Sequence, residues 1–551
     1  MTLHKRDRFR IPEETARLAR KAFSKGNVYM TMRDELELQY KDSDYQDLFT
    51  SSQGRPAESP GLLCLVMVMQ YAEGLTDRQA AEMVRARIDW KYALGLKLED
   101  EGFHHSVLGR FRERLIENGA EQRLLDDMLK QFKKKGLLKK GGKQRTDSTA
   151  VLAATRALNR LECLGETLRA ALNAVAIVAP KWLLEQVTPD WFERYGERFE
   201  QYLLPKKQSE RQALAETIGA DGQHLLTAIE ADDAPQAVPE IEAVEVLRQI
   251  WEQQYDVEEG KVKLRRAKDL PRNKELIMTP YDVDARGRVK RGDQWIGYAV
   301  HLTETCDDDR PNVNTHVETT SATTGDVEMT DKIHQALQEK DLVPKDHFVD
   351  TAYFSTGAFV RGIQDYGLDL YGPAPLDSTW QARSETAYDL TCFAIDWDTQ
   401  TVTCPQGKSS HSWYEREEKG KPVIQIRFST RDCRLCPMRG SCTHAKTGPR
   451  VLTIKPRVQH EALLFARQRQ QTDEFKERYK ARAGVEGTIS QGTRTFGMRR
   501  TRYIGLPKIH LGNILIAAAM NLTRVVHWLM EPDPSKAQTR VSHFAALAPA
   551  A

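Results

Sequence analysis

Between residues 295 and 371 the sequence reads strand, strand, helix, strand, helix, strand, and this order restricts the possible folds more than any other feature of the chain. Residues 295–306 and 312–320 alternate or run apolar with β-branched and aromatic side chains, and the polar, acidic stretch 306–311 between them suits a turn. A helical pattern over 326–340 leads to a short strand pattern, 347–353, which contains Asp350. A second helical pattern, 356–366, precedes another strand at 368–371. Parallel strands need crossovers of about a dozen residues or more, and these helices have that length. The expectation is an α/β core. Residues 385–455, holding four cysteines beyond Cys392, interrupt it. Helix is expected again over 459–491 and 509–529, and the tail after Pro532 reads as disordered.

The N-terminal 145 residues read as helical. Ser59 and Pro60 supply an N-cap and a first-turn proline, Gly74 a stop, and Thr76 with Gln79 a capping box for the next helix. A third helix is expected from Ser106 to Leu115, with Arg110, Arg112 and Arg114 outside. The arrangement suits a helix-turn-helix or an ordinary three-helix packing unit. Further on, Leu158, Leu161, Leu164, Leu168 and Leu172 fall on one helix face until Pro180. Residues 231–240 read as a surface loop.

Composition narrows the class. Hydrophobic residues make up 40% and charged residues 29% of 551, a soluble globular balance with room for three or four domains. The longest uninterrupted apolar run, 62–69, is far short of the roughly 20 residues of a membrane span, so no spanning helix is expected. The first residues lack the apolar segment of a secretory signal, which favours a reducing cytoplasm and eight cysteines that are thiols or metal ligands. Net charge is only +3, but residues 130–145 hold eight Lys or Arg and no acid, and 487–530 hold five Arg, one Lys and no acid. Such stretches suit a polyanion partner; a solvated basic face reads the same way.

Three acids stand where metal-binding carboxylates commonly sit: Asp147 at a polar-to-apolar transition, Asp350 at a strand end, and Glu486 within a helix between basic residues. Converging, they would hold two divalent ions, Mg²⁺ or Mn²⁺, for phosphodiester displacement. Singly, Asp147 reads first as a helix cap, Asp350 as a strand-end turn acid and Glu486 as a surface partner of Arg482. Cys404, Cys433, Cys436 and Cys442, with intervals of 28, 2 and 5 residues, suit a structural zinc ion that organises a segment too polar for a core of its own. Reduced thiols are the alternative, with His444 a substitute for Cys442. Cys64, Cys163, Cys306 and Cys392 read as packed thiols.

The stretch Tyr479-Lys-Ala-Arg482-Ala-Gly-Val-Glu486 resembles the tyrosine-arginine-glutamate-lysine signature of DDE transposases from bacterial insertion sequences, with the lysine position falling on Thr493 beside Arg494. Arg145-Thr-Asp147-Ser-Thr is similar to the first-acid motif of that family, 349–353 to its second, and 497–505 to the segment after the third. Residues 59–114 resemble the N-terminal domain of the insertion-sequence-five and eleven-eighty-two groups, within the insertion-sequence-four/five-like superfamily. The resemblance implies an RNase H-like catalytic core, residues 141–150 and 280–384, behind an all-α DNA-binding domain, 1–140. A helical insertion, 151–279, a Cys-rich β insertion, 385–455, C-terminal core helices, 456–530, and a disordered tail, 531–551, complete it. It further implies Asp147, Asp350 and Glu486 as the metal-binding acids. DNA contacts fall to Tyr479, Arg482, Arg494, Arg499, Arg500, Arg502 and Tyr503. The implied activity is binding of terminal inverted repeats, cleavage at the ends and strand transfer into target double-stranded DNA. Such an enzyme acts as a homo-oligomer on paired ends, in the bacterial cytoplasm at the nucleoid. A catalytically inactive DNA-binding relative, or a metal nuclease without strand transfer, shares the same residues.

Overall fold

The computed structural model describes residues 3, 10–37, 40–49, 56–258, 261–290 and 292–530, so the expectation for the tail lies outside the described residues. The chain forms two compact units, one from Met1–Lys139, Asp147–Thr324 and Glu486–Ala551, the other from Lys140–Thr146 and Gly325–Val485.

In the first unit the helix Pro60–Glu73 starts under the Ser59 side chain, which accepts from the Leu62 N–H, and stops at Gly74 with φ 67°. Twelve of its residues are buried, because it is apolar all round and packs against the C-terminal helix Leu506–Met530. Among the described residues that second helix is long and apolar enough to span a bilayer by length and composition, and 83% of its most apolar window is buried inside the protein, as in a core helix. Polar residues break the uninterrupted run yet serve the interior. Asn513 donates to Thr319 (2.9 Å), and Asn521 exchanges bonds with the Asn314 backbone, accepting its N–H (2.7 Å) and donating to its carbonyl (2.9 Å).

Thr76 and Gln79 form the capping box of the helix Asp77–Ala86. Ser106–Glu117 is the next long helix, but Arg112, expected outside, is buried. It pairs with Asp77 and lies over the Tyr503 ring at 5.8 Å, a stacking partner 391 positions away that local periodicity does not show. The helix Arg160–Val178 is capped by Asn159 and Glu162, and its leucines join a separate core with Ile218, Leu225, Leu247, Ile250 and Trp251. The stretch 151–279, expected as a helical insertion, also has a β-hairpin, Tyr255–Glu258 against Lys261–Leu264, so it is not purely helical. Strands of four residues are too short to display a period. Antiparallel strands Arg286–Lys290, Asp293–Thr305 and Asn314–Ser321 complete the unit.

In the second unit Lys143–Arg145 pairs parallel with Asp346–Phe348, and that strand pairs parallel with Asp369–Tyr371 across the helix Thr356–Tyr366. The strand Lys143–Leu152 runs on from this unit into the first. The chain as described is thus mixed α/β with a helical N-terminal part. The Cys-rich region has a core after all: Phe393, Val402, Ile424, Ile426, Phe428, Leu452 and Ile454 are buried together. Alternation along Lys421–Phe428 and Val451–Ile454 places Ile424, Ile426, Phe428, Leu452 and Ile454 on one face of an antiparallel sheet. The single helix expected over 459–491 is instead Arg457–Arg469, Asp473–Tyr479, a 3₁₀ turn Lys480–Ala483 and Gly484–Arg494.

Candidate active site

The break before Gly484 has a cause within the second unit. Arg145 is buried on its strand and donates to the Ala481 carbonyl (2.6 Å). Its guanidinium occupies the place where a Cβ on residue 484 would project, so any larger residue there would displace Arg145 from this position. Tyr479 stacks on Phe475 at 5.4 Å between ring centroids, and its hydroxyl donates to the Val349 carbonyl (2.9 Å), one residue before Asp350. Arg478 pairs with Asp346 (2.7 Å), and Arg469 pairs with Asp369 (2.6 Å) while lying over Tyr371 at 4.3 Å. Arg145, Arg469 and Arg478 therefore brace strands, a role that sequence reading missed.

Asp350 follows its strand in a turn, with Oδ1 accepting from the N–H groups of Ala352 (2.9 Å) and Tyr353 (3.3 Å). Asp147 is half-buried on its strand, and its Oδ1 accepts from the Ser148 N–H (2.8 Å), so neither acid caps a helix. Glu486 is exposed in the first turn of Gly484–Arg494, where the positive end of the helix dipole favours a carboxylate. Since Arg482 lies in the 3₁₀ turn, the two do not share one continuous helix face. Asp147 and Glu486 belong to the first unit and Asp350 to the second. Among the described residues no three His, Cys, Asp or Glu form a ready-made metal group. The donor set itself, three carboxylates, has the hard oxygen chemistry of Mg²⁺ or Mn²⁺.

After Glu486 the first unit presents Arg494, Arg499, Arg500 and Arg502, all exposed. Arg499 donates to the Ala150 carbonyl (3.2 Å), and Arg502 to that of Leu75 (3.3 Å). Tyr503 is turned inward, its hydroxyl accepting from Tyr71 (3.0 Å). Thr493 donates to the Ile489 carbonyl of its own helix (2.9 Å).

Cys404, Cys433, Cys436 and Cys442 all line one small cavity of about 40 Å³, beside Phe393 and Phe428. Burial pushes the Cys442 thiol up, Arg450 pulls it down, and the three other thiols push it up again. Cys64, Cys163 and Cys306 are packed thiols, whereas Cys392 is exposed, against expectation.

Two stretches match known family models: residues 403–526 a transposase DDE domain, and residues 17–114 a transposase domain (DUF772). No curated protein and no solved structure matches. The first match spans Glu486 and the exposed arginines; neither spans Asp147 or Asp350. Each covers less than half of the chain, and together they support a transposase of an insertion element, a class whose substrate is DNA.

Proposed function

We propose that the chain is an insertion-sequence transposase of the four/five-like superfamily, close to the eleven-eighty-two group, with an RNase H-like core. It binds the terminal inverted repeats of its element, cuts at the ends and joins the freed 3′ hydroxyl to target DNA. The observation that carries this reading is the transposase DDE match over 403–526, in which Glu486 stands exposed at a helix start ahead of four exposed arginines. Asp147, Asp350 and Glu486 would hold Mg²⁺ or Mn²⁺, which would supply activation of the nucleophile and neutralisation of charge on the leaving oxygen. Arg482, Arg494, Arg499, Arg500 and Arg502 engage the phosphates. Tyr479 and Tyr503 brace these segments from within, through Val349 and Phe475 and through Tyr71 and Arg112. Two copies act on paired ends, at the nucleoid.

The test is cleavage and joining of labelled DNA carrying both ends of the element, with wild type compared with Asp350→Asn. Metal-dependent nicking and joined products, lost in the variant while end binding persists, are expected. Binding without cleavage under either metal would identify an inactive DNA-binding relative, and cleavage without joining a nuclease.

The four cysteines are further proposed to close on one Zn²⁺, supported by their shared cavity. Purified protein is expected to hold one equivalent of zinc, lost on Cys433→Ser. Metal-free protein together with an unaltered fold in the cysteine variants would sink this proposal.

A further inference from the structure

The first unit contains a buried carboxylate that the reaction does not use. Glu304, on the strand Asp293–Thr305, is 0% exposed and ion-paired with Arg524 of the helix Leu506–Met530 (2.7 Å). The Thr488 hydroxyl donates to the same Glu304 oxygen, Oε2 (2.6 Å), and accepts from Arg524 Nη2 (2.7 Å). Arg524 Nε donates to Gln491 Oε1 (2.7 Å), and its Nη1 also reaches the Asn312 carbonyl (3.4 Å). Carboxylate, guanidinium and hydroxyl form a closed triangle of charge-assisted bonds. A buried ion pair costs desolvation, so its gain has to lie in fixing one arrangement over others, a hypothesis to be tested for each protein.

The arrangement fixed is that of the helix Gly484–Arg494. Thr488 and Gln491, three residues apart, face the triangle together, and at about 100° per residue Glu486 lies nearly opposite Thr488. Thr488 is 2% exposed, while Glu486 is exposed. Two anchors on the rear of a helix set its rotation, and rotation sets where the front carboxylate points.

We propose that Glu304, Arg524 and Thr488 are positioning residues that aim Glu486 by fixing the rotation of its helix. The inference rests on the reading of Glu486 as a metal-binding acid. It is tested in full-length protein bound to end DNA, by titrating Mn²⁺ and following free Mn²⁺ by electron paramagnetic resonance, alongside cleavage rate against Mg²⁺ concentration. Thr488→Val, which keeps shape and removes the hydroxyl, is expected to bind end DNA as wild type does. Its Mn²⁺ affinity and its cleavage at limiting Mg²⁺ are expected to fall about tenfold to hundredfold, the range for groups that orient metal ligands. Thr488→Ser is expected to restore most of the loss. If the valine variant does not fold, Gln491→Ala, which removes one acceptor of Arg524, carries the same test.

A wild-type metal curve in a folded Thr488→Val protein overturns the proposal. A lowered melting temperature with an unmoved metal curve does so too, since that is a merely structural hydroxyl. Glu486→Gln separates the two readings: wild-type metal binding and cleavage in that variant remove the third-acid assignment and the positioning role with it. Loss in Glu486→Gln without any effect of Thr488→Val removes the positioning role alone.

Discussion

His347, fully buried in the second unit, uses both ring nitrogens: Nε2 lies 2.7 Å from Thr146 Oγ1 and Nδ1 lies 2.9 Å from His334 Nε2. Burial holds His347 well below the usual histidine range, with the neighbouring His334 adding to the effect, and burial lowers His334 to about 4. Both are neutral in the folded protein and have ordinary affinity for protons once unfolded. Their contribution to stability is therefore complete above about pH 6.5 and is lost as pH falls through about 4, on the order of 3 kcal/mol for His334. The melting temperature of the wild type is expected to drop between pH 6.5 and 4. His347→Gln, which retains a donor and an acceptor without the titration, is expected to show a flatter profile; an identical slope in both proteins would refute the assignment.

Helix starts were readable in the sequence where the cap is local. Ser59 and Thr76 each accept an N–H three residues ahead within the same short window, and their helices begin where those caps predict. Breaks set from a distance were not readable. The interruption at 480–484 is imposed by Arg145, more than 300 positions earlier, and the inward turn of Arg112 by Tyr503. For the same reason the types of the candidate site residues could be picked out by motif, while the bracing of Tyr479 on Val349 could not. In the region 151–279, Gly219 and Gly222 of Gln208–Ile229 sit against the Tyr255 and Trp251 rings so closely that a Cβ would clash. Gly222→Val is expected to destabilise that region by about 1–3 kcal/mol or more, from overpacking. Urea unfolding followed by Trp fluorescence measures it, and an unchanged midpoint would show that the helices part at no cost.

At the scale of the whole molecule, charge is arranged rather than accumulated. A net +3 conceals the acid-free stretch 487–530, whose exposed arginines belong to the first unit, and the basic residues of 130–145, divided between the first unit and the start of the second. The order of the chain matters as well. The second unit has all of its residues once position 485 is reached, whereas the first still awaits the helix on which Pro60–Glu73 packs. During synthesis on the ribosome, more than 300 residues of the first unit must wait without their central helix while the second unit is made and can fold. A frameshift or stop codon shortly before Leu506 would leave a product whose second unit has every residue it needs and whose first unit has lost its central support. On the proposed reading as a transposase, this makes the helix Leu506–Met530 a check on the reading frame: copies truncated before it keep the parts that precede it but cannot complete the unit that carries Asp147 and Glu486.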